Sequence, residues 1–106
     1  MTAPRPIADL RHRLTIERAS QDVAGETVWT AVDTVFAAID PVAATETNAG
    51  ASLTGVVTHR IEMRWRGDVS SRDRLRLGDR IFRVVATHDL DERHRRLVVH
   101  AEEEAR

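Results

Sequence analysis

The sequence predicts an all-β domain, a small barrel or sandwich of about six strands with one long loop over roughly residues 41–55. Three observations predict it. Short runs rich in Val, Ile, Thr, Trp and Phe alternate apolar and polar residues, the period-two signature of half-buried strands. Glycine, proline, aspartate and asparagine punctuate those runs at the short spacing of an all-β chain. No segment carries the 3.6-residue periodicity of a long amphipathic helix.

Residues 1–9, with Pro4 and Pro6, read as an extended arm. From Leu10 the pattern alternates: Leu10, His12, Leu14 and Ile16 share one face, and Arg11, Arg13, Thr15 and Glu17 the other. Residues 20–26, with Asp22 and Gly25, form a turn. Residues 27–39 are strand formers whose alternation slips near Ala31 and Val32, which marks a bulge or a bend. Asp40 and Pro41 end this run, because proline has no N–H for the ladder.

The long loop follows. Its alanines tolerate a short helix over 42–47, and Asn48, Gly50 and Gly55 prevent a long one. A connection of this length in a small domain is functional or disordered. Val57, His59, Ile61, Met63 and Trp65 then form the clearest strand face, with Thr58, Arg60, Glu62 and Arg64 turned to water or a partner. Arg66-Gly67-Asp68 is a turn, and Leu75 and Leu77 alternate with Arg74 and Arg76 in a short strand. Gly78-Asp79 leads into residues 81–87, apolar on both faces and expected to be central. Residues 89–95 are a charged hairpin loop, 97–101 the last strand, and the chain ends in a polar tail. The organisation is an arm (1–9), one β domain (10–103) and a tail (104–106).

Charge is unevenly placed. All 16 basic residues are arginines, and none lies between Ala19 and Thr58. That block holds five acids, Asp22, Glu26, Asp33, Asp40 and Glu46. The remainder sets 16 arginines against 12 acids, so a −5 segment faces a +4 remainder. Such a chain is suited to meeting copies of itself or other partners. Arginine without lysine is a mark of GC-rich genomes. The absence of cysteine excludes disulfides and thiolate zinc sites. No apolar run approaches the roughly 20 residues of a membrane span, and the start, MTAPRPIADL, lacks the apolar core of a signal peptide. Cytoplasmic synthesis and no membrane partner are the expectation.

No constellation for chemistry emerges. His88, His94 and His100 are six apart, and a hairpin would bring His88 near His100, but zinc wants three or four converging ligands. Asp89, Asp91 and Glu92 lack the spacing of a calcium loop. Arg66-Gly67-Asp68 spells an adhesion tripeptide but serves as turn chemistry. Ser70 and Ser71 have no nucleophile elbow, and no Gly-rich phosphate loop is present. Residues 60–83 hold eight arginines and four acids, an excess that favours phosphate, yet the charges are interspersed and no aromatic stacking surface accompanies them. The chain is expected to be no enzyme and to need no cofactor and no metal.

The ordered segments LRHRLTIERAS, GETVWTAVDTVFAAIDP and THRIEMRWRGDVSSRDRLRLGDRIFRVVATHDLDERHRRLVVHAEE resemble the phage head-tail joining family, the head-closure or stopper proteins of long-tailed phages, prophages and gene transfer agents. The matching positions are Ile16-Glu17-Arg18, then Trp29, then Ala37-Ala38-Ile39-Asp40-Pro41. They continue with Thr58, His59, Ile61 and Arg64, and then Gly78, Asp79, Arg80, Phe82 and Val84. The resemblance runs from about Leu10 to Glu103. It implies a β-barrel-like subunit of a ring in the neck of the particle, of six or twelve copies. The portal adaptor lies above, the tail terminator or tail tube lies below, and DNA passes through the lumen without sequence-specific binding. It also implies a channel or partner loop, here Asp40, Pro41, Thr45, Glu46, Thr47, Asn48, Gly50 and Gly55. Arg60, Glu62, Arg64, Arg74 and Arg76 are the candidate inter-subunit charged face. Two other readings are a tail terminator-type ring protein and a small nucleic-acid-binding β-barrel, whose affinity would fall steeply with salt.

Overall fold

Six antiparallel strands close on themselves. In the computed structural model, which describes residues 5–42 and 56–105, they are β1 (His12–Gln21), β2 (Thr27–Pro41), β3 (His59–Arg64), β4 (Asp73–Leu77), β5 (Arg80–Asp89) and β6 (Arg96–Glu103). The order around the barrel is β1-β2-β3-β6-β5-β4, and β1 pairs with β4 to complete it. The choice between barrel and sandwich is thereby settled, and β5 has no central position to occupy, because a closed sheet has no edge to be remote from.

One face of every strand fills the interior. Leu14, Ile16, Ala37, Ile61, Met63, Leu75, Phe82, Val84, Leu97, Val99 and Ala101 form the core, with Val69 beneath the connection into β4. The period-two reading of residues 57–65 holds: Ile61 and Met63 are buried and His59 and Trp65 half-buried. In β1 it holds for Leu14 and Ile16 but not for His12, the first residue of the strand, which is exposed.

β2 is too long for the barrel. It pairs with β1 from Thr27 to Ala37 but with β3 only from Ala37 to Pro41. Its first ten residues therefore run past the end of β3, backed by β1 and, over Thr15–Arg18, by β4 behind it, and only the tip beyond Arg18 is a two-stranded ribbon; the domain extents are 48 × 28 × 25 Å. The slip at Ala31 and Val32 is a β-bulge: Ile16 faces Asp33 and Glu17 faces Ala31, so Val32 is the extra residue. The ribbon tip is closed by Asp22, whose carboxylate accepts from the N–H groups of Ala24 and Glu26, both at 2.9 Å, while Gly25 supplies a positive φ of 83°. A second bulge, at Val85 in β5, left no trace in the sequence pattern.

Three expectations change. The arm is not extended throughout: Ile7–Asp9 is a 3-10 turn, and Leu10 behind it is buried. β2 includes Asp40 and Pro41, with Pro41 opposite His59 as its last residue. The last strand continues past Ala101 through Glu102 and Glu103, which bond Arg83 and Arg80 on β5 at 2.7 and 2.8 Å. Thr45, Glu46, Thr47, Asn48, Gly50 and Gly55 lie outside the described residues.

Candidate functional site

A barrel filled by its own side chains leaves only its outer surface for recognition. That surface is built from arginine–carboxylate pairs between neighbouring strands. Of the predicted charged face, Glu62 points outward from β3 yet is 2% exposed. Arg96 of β6 donates to it at 2.7 Å, and Arg5 and Arg60 lie at 3.3 and 3.5 Å. Arg96 also donates to the Arg5 carbonyl at 2.7 Å, so the arm is fastened over this site as a roof. Arg74 donates to Glu17 at 2.7 Å and stacks over Trp29 at 4.1 Å, and Arg76 reaches the other Glu17 oxygen at 3.4 Å. Four of the five residues named for this face are therefore engaged within the protomer. Arg64 differs: it is exposed and has no carboxylate partner among the described residues.

The acidic segment is likewise partly neutralised at home. Asp33 on the ribbon bonds Arg66 at 2.8 Å, and Arg66 also grips Asp68 through two bonds of 2.7 and 2.9 Å. The Arg66 hydrogen bonds hold both carboxyls below the usual carboxylate range, and those bonds raise the guanidinium further. The Arg-Gly-Asp sequence is thus a structural clamp between the ribbon and the β3–β4 connection. Asp40 pairs with Arg5 of the arm. Asp73, buried at the start of β4, accepts from Arg18 at 2.9 Å and from the Ser70 N–H at 3.0 Å. Sequence reasoning missed the burial of Glu17, Asp73 and Arg96, because charged residues are almost never fully buried unless paired across strands, and such pairing depends on register.

Where β3 stops and β2 continues, a groove of about 400 Å³ opens, lined by Ile7, Leu10, Val35, Phe36, Arg64 and Trp65. Phe36 is 57% exposed. Arg13 pairs with it in register and its guanidinium stands 6.0 Å from the ring. Arg64 follows Met63, the partner of Ala37, and so falls on the other side of Phe36. Trp65 is braced by His94, stacked at 4.5 Å.

His88 and His100 do meet, Nδ1 to Nε2 at 3.1 Å, on the outside of the β5–β6 pair. Among the described residues, no group of three or more His, Asp or Glu is arranged to hold a metal ion. Burial pushes His100 below its ordinary 6.5, and the neighbouring His88 and Arg60 push it the same way. Burial also lowers His59. Both groups fold as neutral imidazoles and protonate more readily when unfolded. Their stabilisation is therefore complete above pH 6.5 and is lost as pH falls through the lower folded values. The thermal midpoint is expected to drop between about pH 7.5 and about pH 5.5, and His100→Gln should flatten that slope.

The comparisons bear on this barrel as a whole. The model of the phage head completion protein family matches residues 5–104. The chain belongs to that family. The resemblance read from the residues is borne out, and membership places the protein in phage-type virion assembly. Two solved structures share the fold. A protein of Shigella flexneri 2a, known from a solution structure, is 24% identical with a TM-score of 0.72, over 95% of this chain and 98% of that one. A chain in the virion of a native gene transfer agent particle is 23% identical with a TM-score of 0.63, over 98% of this chain and 100% of that one. No curated protein matches the chain. Among the described residues no helix is long and apolar enough to cross a membrane.

Proposed function

We propose that this head completion protein is a ring subunit of the particle neck, seated below the portal and its adaptor, closing the DNA-filled head and joining it to the tail. The observation that carries this reading is the family match over residues 5–104. The likeness in fold to a chain of a gene transfer agent virion supports it. The interior of the barrel is packed with Leu14, Ile61, Met63, Phe82 and their neighbours, so DNA cannot thread one subunit. A passage must lie between copies, which requires a ring.

On this reading the segment of residues 41–55, which begins at the last residue of β2, faces the channel or a neighbouring copy. The outer surface, with most arginines paired to carboxylates, holds DNA weakly and lets it slide. The test is cryo-electron microscopy of purified particles with the subunit located in the map. Density as a ring between portal adaptor and tail is the expected result. Density at the distal face of the tail tube's terminator, or none in any particle, overturns it.

A further inference from the structure

Three features of the ribbon and groove serve no purpose within one protomer. At the ribbon tip Val23 is fully exposed, an apolar side chain at the far end of the domain. Beside it Glu26 has no side-chain partner among the described residues. At the ribbon base, the groove offers Phe36, Ile7 and Trp65 between Arg13 and Arg64, two guanidiniums without carboxylate partners among the described residues. Along its side, the β2 edge preceding Ala37 has no ladder partner among the described residues, because β3 pairing begins there. Unpaired edge groups accept an incoming segment.

Tip and groove are complementary. One is a narrow apolar knob flanked by carboxylates, and the other an apolar slot flanked by guanidiniums. They cannot meet within one chain. Glu26 and Phe36 are ten positions apart on one ribbon, which at about 3.3 Å per residue separates them by roughly 33 Å. Resting on the ring reading above, we propose that the β1–β2 tip of one copy seats in the groove of the next. Val23 packs against Phe36 and Trp65, and Glu26 meets Arg64 and Arg13. The contact joins two different patches, so it is heterologous and propagates around a closed ring. Its charges set register and direction more than strength. The small area of a tip contact keeps free subunits apart until the particle gathers them.

The chain has no cysteine, which makes the test clean. Particles are assembled with Val23→Cys/Phe36→Cys protein, oxidised and run on a non-reducing denaturing gel. A disulfide needs Cα atoms within about 7 Å, so the two positions cannot bridge within one chain. The expected result is a ladder of dimer, trimer and higher species, with neither single variant exceeding a dimer. Particles that contain the chain but yield only monomer overturn the contact while leaving the neck reading intact. A crosslink from either single variant to a protein of another mass gives the surface to a different virion component and also overturns it. Absence of the unmodified chain from particles overturns both readings. In parallel, Glu26→Arg and Arg64→Glu should each reduce incorporation by about tenfold, and the combined swap should restore it. A folding defect would not be rescued by the second charge, and failure of the swap to restore incorporation counts against the pairing.

Discussion

Glu62→Ala is expected to remove roughly 3–5 kcal/mol of stability, read as a fall in the urea midpoint. The carboxylate is buried on the outside of the barrel, beneath a roof made by Arg5, Arg60 and Arg96. Its removal leaves Arg96, itself buried, with only the Arg5 carbonyl as acceptor. An uncompensated buried guanidinium costs far more than a lost surface pair. For a domain whose whole stability is on the order of 5–15 kcal/mol, the variant stands close to unfolding. Replacing both partners, Glu62→Leu with Arg96→Leu, should recover most of the loss, because no charge is then stranded. A double variant as unstable as the single one would mean that docking of the arm, not the desolvated pair, is what Glu62 secures.

The strands were legible because burial imposes a period of two on them. Ile61 and Met63 on β3, and Leu75 on β4, declare their inward face without any knowledge of the partner strand. Even the bulge at Val32 left a slip in the alternation. What the sequence hid depends on register. Phe36 reads as core by its chemistry, yet Val35, Ala37 and Ile39 take the inward face of β2 and leave the aromatic ring in solvent. The split between acidic and basic segments is real in the chain. In space part of it is cancelled by Asp33–Arg66 and Asp40–Arg5. Of the predicted charged face, Arg64 alone has no carboxylate partner among the described residues. The groove beside it could not be foreseen, because it exists only where β3 ends before β2 does.

Phe82→Ala carries the second large expected loss, roughly 3–5 kcal/mol. Of four aromatic residues in the chain, Phe82 alone is fully buried. Trp29 lies under Arg74 on the outer surface and Phe36 faces the groove. The core therefore relies on one ring for its bulk, packed among aliphatic residues that include the small Ala37 and Ala101. The cavity cannot close easily, because the strands around it are hydrogen-bonded on both sides in a closed barrel. Thermal unfolding should register the loss as about 4–8 °C for each kcal/mol. A second readout separates packing from mere loss of area. His59 and Phe82 meet edge to face with ring centroids 5.2 Å apart, and burial holds that imidazole below its ordinary 6.5. Opening a cavity admits water to His59 and returns its pKa toward the unfolded value. The share of acid sensitivity that His59 carries should then vanish, so the variant is less stable at every pH but loses less on acidification from about pH 7.5 to about pH 5.5. An unchanged pH slope would show that His59 is desolvated by the strands beside it and not by the ring.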